Sequence, residues 1–146
     1  MREVVFALEF RGRARVEPDG TRRARTQAPS QAWRTVLDAD GVHADRTPLQ
    51  GDPAVLESRV ERFGDGTFVE DGTITYGPAG HVAFETVGRG TVAPSPIAGV
   101  TVGAVIWTVT AGEGAFQGAR GLITSSFTVD ADGNVVDHHI ARLYLP

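Results

Sequence analysis

At 146 residues, 41% apolar and 22% charged, the chain has the make-up of one globular domain, large enough to bury about 68–70% of its unfolded surface. Its formal net charge of −4 argues against a general nucleic-acid binder, and no apolar run approaches the ~20 residues of a membrane-spanning helix. The absence of cysteine, with arginine as every one of the 14 basic residues, excludes disulfides, thiolate nucleophiles, cysteine-held metals and lysine Schiff bases.

The first residues pass straight into strand pattern with no basic-then-apolar leader, which predicts a cytoplasmic protein. Even positions read Val4, Phe6, Leu8, Phe10, Gly12, Ala14 and Val16, while odd positions carry Glu3, Glu9, Arg11, Arg13, Arg15 and Glu17. Such period-two alternation marks a half-buried strand with a clean inner face. Pro18-Asp19-Gly20 turns the chain, and residues 21–27 return. Residues 29–37 carry the best helical periodicity, short and ambiguous, and 38–54 read as one long loop rich in Asp, Gly and Pro. Strand-like runs follow near 55–63, 67–76, 81–93, 99–110, 119–129 and 134–145, separated by turn signals such as Asp65-Gly66 and Asp130-Ala131-Asp132-Gly133.

This gives about eight antiparallel strands in one domain, 1–146, and predicts an all-β sandwich or barrel. Mid-strand Gly72, Gly88, Gly90 and Gly103 favour a closed barrel, which needs bends where no side chain intervenes. Both faces of 100–109 are largely apolar, so the outer one needs a cover, and a homo-oligomer is expected.

Between the runs 100–110 and 122–129 lies Gly112-Glu113-Gly114-Ala115-Phe116-Gln117-Gly118-Ala119-Arg120-Gly121. Four glycines in ten residues let the backbone turn tightly, and Phe116 is the one side chain there able to plug a core. The stretch resembles the glycine-rich signature of the allene oxide cyclase and dirigent-like barrels, G-x-G-x-F-x-G-A-x-G followed by a strand. With its flanking strands the resemblance covers roughly residues 80–146. It implies a calycin-like, eight-stranded antiparallel barrel with a ligand cavity in its lumen, often dimeric or trimeric. It also implies cofactor-free cyclase chemistry, including that of bacterial natural-product barrels. The plant cyclases' carboxylate near the first strand has no match here, because parity puts Glu9 on the outer face with Arg11.

Gly112-x-Gly114-x-x-x-Gly118 is one residue too long for a dinucleotide fingerprint and precedes a strand, not a helix. Asp130-x-Asp132-Gly133-Asn134 lacks the ligands of a calcium loop and reads as a hairpin turn; no metal site is expected. Arg11, Arg13 and Arg15, with Arg23 and Arg25 opposite, make either an anion patch or a solvated face. Asp137 and His139 share the more apolar face of the last strand, a pairing suited to general-base work; phased the other way, His138, Arg142 and Tyr144 face inward. Glu70 lies on the face of Phe68, Ile74 and Tyr76, as an acid in an apolar lumen or part of an exposed Glu70-Asp71-Gly72 turn.

The reading that joins these is a cytoplasmic homodimer or homotrimer enclosing an apolar small molecule, with no cofactor and neither nucleic-acid nor membrane partners. The expected activity is that of a cyclase or isomerase of secondary metabolism. Asp137, His139, Glu70 and Tyr76 are the candidate catalytic groups, and Trp107, Phe84, Phe6 and Phe10 either line the ligand site or fill the core. The alternative is a non-catalytic binding or carrier barrel.

Overall fold

A computed structural model describes residues 1–146; its regular secondary structure is all strand apart from one 3-10 turn at Gly77–Ala79, with turns and short loops between the strands. The strands are β1 (Arg2–Val16), β2 (Arg22–Ala28), β3 (Gln31–Asp38), β4 (Gly41–Pro48), β5 (Ala54–Arg62), β6 (Thr67–Tyr76), β7 (Gly80–Thr86), β8 (Gly90–Pro94), β9 (Thr101–Gly114), β10 (Arg120–Val129) and β11 (Asn134–Leu145). No helix is long and apolar enough to cross a membrane.

Eight of these close into an antiparallel barrel in the order β1-β2-β5-β6-β7-β9-β10-β11, with β11 returning to pair with β1. Closure removes the unpaired edges that an open sheet exposes. The run 81–93, read as one strand, is two. β7 pairs with the second half of β9, the chain bends at Val87–Arg89, and β8 bridges the first half of β9 to the start of β6.

A larger difference lies at residues 29–54, where the sequence suggests a short helix and a loop. Residues 31–48 instead form the hairpin β3–β4, outside the barrel, around the turn Asp38-Ala39-Asp40-Gly41. Almost every residue of this arm is exposed. With neither face buried, no alternation is imposed on its sequence, so period two is absent there.

Inside the barrel the even positions of β1 and β5 and the odd positions of β10 and β11 point inward. The middle is packed solid. Phe84 stacks on Trp107 at 4.1 Å between ring centroids, Trp107 meets His139 edge-on at 5.0 Å, and His139 lies 4.4 Å from Phe10. At one end the glycine-rich segment closes the barrel: Gly114, at φ +66°, turns the chain out of β9, and Phe116 packs 5.1 Å from Tyr76. Outside, Ile106, Leu122 and Ile140 stay about half exposed on adjacent strands β9, β10 and β11.

Candidate active site in the open end of the barrel

The other end is open. Where β1, β5 and β10 finish and β2, β6 and β11 begin, a cavity of about 380 Å³ enters the lumen, within the usual range for small-molecule sites. Its walls are apolar, with Leu56, Val60, Phe68 and Phe127 among them; deep in it lie the buried polar side chains Thr26, Glu70 and Asp137, and Arg22 and Arg62 stand at its mouth.

Glu70 and Asp137 are built the same way on two different hairpins. In β5–β6, Ser58 pairs with Gly72 and its hydroxyl reaches diagonally to donate to Glu70 Oε2 at 2.6 Å. In β10–β11, Ser125 pairs with His139 and its hydroxyl donates to Asp137 Oδ1, also at 2.6 Å. Gly72 is required by this construction, since a Cβ there would meet the Glu57 carbonyl and press on the Ser58 side chain. The Thr86 hydroxyl accepts from the Glu70 amide and donates to the Glu70 carbonyl, both at 2.7 Å, locking that backbone where β7 ends.

Burial drives the electrostatics of Glu70. Desolvation, reinforced by the negative charges of Asp137 and Asp71, outweighs the Ser58 hydrogen bond and raises its pKa from 4.5 to about 8. Glu70 is therefore predominantly a neutral acid at pH 7. Each Asp137 oxygen has one partner, Oδ1 the Ser125 hydroxyl and Oδ2 His139 Nε2 at 2.8 Å, which leaves each oxygen a further acceptor site. With Asp137 ionised, Nε2 carries the hydrogen, and the buried Nδ1 has no partner. The Thr26 hydroxyl beside the cavity is likewise buried without a partner.

The structure fixes the phase of the last strand: Asp137 and His139 are buried, while His138 and Tyr144 face outward. It brings Glu70 and Asp137 together on the cavity and sets His139 behind Asp137 in the packed layer. Tyr76 sits at the closed end beside Phe6, where burial pushes its phenol pKa upward. Trp107, Phe84 and Phe10 form the packed middle layer instead of the cavity wall, because their rings already satisfy one another there. Glu9 is outward, as parity predicts, and holds the arm. Its carboxylate takes Arg11 at 2.9 Å, Arg46 at 2.6 Å and His138 at 2.7 Å, while Gln31 accepts from its amide and from Trp33. Burial alone would raise the Glu9 pKa, but these hydrogen bonds and charges hold it below the ordinary value. No group of three or more histidines and acids is placed to hold a metal ion.

Sequence reasoning missed Ser58, Ser125, Thr26 and Thr86. Strand parity alone marks Ser58 and Ser125 as inward, but nothing local distinguishes a serine that aims at an acid from one that fills space. Compared with protein families, characterised proteins and solved structures, the chain matches none. Fold and geometry define it as a closed antiparallel β-barrel with an acid-bearing site in one open end.

Proposed function

We propose that this barrel binds an apolar small molecule in its open end and converts it as a cofactor-independent cyclase or isomerase. The observation that carries this is the pairing, in one apolar cavity, of Glu70 with its pKa near 8 and Asp137 fixed by Ser125 and His139. Two acids in different environments divide the work of acid and base. Glu70 donates its proton to an oxygen or an alkene carbon of the substrate as Asp137 removes one from a neighbouring carbon. No electrons are lost or gained, and a proton passing back from Asp137 to Glu70 restores the start. For a cyclisation the walls add an entropic part, by holding a flexible chain in a near-reactive conformer. The glycine-rich resemblance to allene oxide cyclase-like barrels supports the same reading, and we place the reaction in secondary metabolism in the cytoplasm as part of the proposal. The half-exposed face of Ile106, Leu122 and Ile140 supports a homo-oligomer that covers it.

The test is a panel of hydrophobic polyenes and enones assayed for binding and for product. Glu70→Gln and Asp137→Asn are expected to keep binding while turnover falls by about 10²–10⁴-fold. A wild-type protein that binds members of the panel and converts none would make it a carrier barrel instead.

A further inference from the structure

Strand alternation turns two cations inward at the mouth of this cavity. On β5 the inward-parity set runs Leu56, Ser58, Val60 and then Arg62, which is exposed at the lip; on β2 it runs Thr26, Ala24 and then the half-buried Arg22. Arg22 pairs with Val60, Val60 with Glu70, and Arg62 with Phe68, so both guanidiniums stand over the same wall. Neither forms an ion pair, whereas their outward neighbours Arg15, Arg25 and Arg59 each reach a glutamate. Burial lowers the pKa of Arg62, and the like charge of Arg22 lowers it further, with no acid offsetting them. Of the acids on the rim, Asp130 is taken up by Asn134 and the turn amides, and Asp132 lies in that turn between β10 and β11.

Adjacent, partly desolvated guanidiniums repel each other, and an oxyanion placed between them relieves that and accepts hydrogen bonds from both. The floor has the opposite sign, since Asp137 is acidic. The site is thus polarised from rim to floor. We propose that the ligand of the lumen is an amphipathic anion, its one carboxylate or phosphate held by Arg22 and Arg62 and its short apolar body between Phe68 and Phe127. This rests on the lumen reading above and adds a substrate class to it. Glu70 lies two residues beyond Phe68 on β6, about 7 Å of strand rise. The reacting bond therefore lies near the acidic head, not at the end of a long tail.

Calorimetry with octanoate, octyl phosphate and octanol on the full chain at neutral pH tests this. At least one anion should bind about ten-fold or more tighter than octanol, the worth of one charge-assisted contact. In the Arg22→Gln/Arg62→Gln double variant the advantage should shrink to within about two-fold, while octanol binding stays at the wild-type value and reports an intact lumen. Equal binding of anions and alcohol to the wild type overturns the anion site and leaves the lumen reading standing. An anion preference that survives in the double variant overturns it too, by placing the anion elsewhere, such as on the outer arginine face. Failure of all three probes to bind the wild type overturns both.

Discussion

Glu70 binds its proton more tightly in the folded chain, at about 8, than in the unfolded one, at 4.5. Its contribution to stability is therefore most favourable below pH 4.5 and declines as pH rises through 8, by on the order of a few kcal/mol. Glu70→Gln keeps an oxygen to accept from Ser58 and removes the titration. The wild-type melting temperature should fall between pH 5.5 and 8.5 relative to that of the variant; parallel curves would show an ordinary, hydrated carboxyl. How far such a residue is legible in sequence depends on its neighbours. Parity and the apolar run Ala141, Leu143, Leu145 point Asp137 and His139 inward, as the structure has them. Glu70 sits beside Asp71 and Gly72, which look like a turn, and only the ladder to β5 shows that the glycine makes room for Ser58. Phe10, Phe84 and Trp107 read as core or ligand wall with equal ease, since the same rings serve either use until packing decides.

At the scale of elements, two features carry predictions. Gly72→Ala drives a methyl into the backbone of β5, which cannot yield as a side chain would, so a loss of about 2 kcal/mol or more is expected in denaturant unfolding. The same change should weaken the Ser58–Glu70 contact, whereas an exposed alanine such as Ala39 in the arm turn tolerates replacement by serine at no measurable cost. The arm β3–β4 is a two-stranded sheet with no core of its own, a construction marginal in isolation. Its attachment runs through Glu9. Because the Glu9 pKa is lowered on folding, this anchoring is complete above pH 4.5 and is lost as pH falls below it. Glu9→Gln should speed amide exchange across residues 31–48 and leave barrel amides unchanged; equal rates in variant and wild type would show that the arm is held by other contacts. The arm escaped sequence reading for the reason that makes it marginal: without a buried face there is no periodic signal.

For the whole molecule, alternation and turns mark about eight antiparallel strands, and Gly72 and Gly103, with the glycine-rich resemblance, favour the closed barrel over a sandwich; Gly88, read as mid-strand, lies in the bend between β7 and β8. Which end stays open was not readable, since it depends on where Phe116 and Tyr76 meet across the lumen. Ile106, Leu122 and Ile140 form an uncovered face on three neighbouring strands. Native mass spectrometry should show a multiple of the 15.5 kDa chain, and Ile140→Asp should reduce it to one chain with the barrel still folded. A monomeric wild type would remove the oligomer from the account. The central claim, a ligand site in the open end, is tested most directly by a crystal structure with octanoate brominated at its tail. The account predicts an anomalous bromine peak inside the lumen, among Leu56, Phe68 and Phe127, with the carboxylate at Arg22 and Arg62. Bromine found only on the outer surface, with the lumen empty, would contradict it.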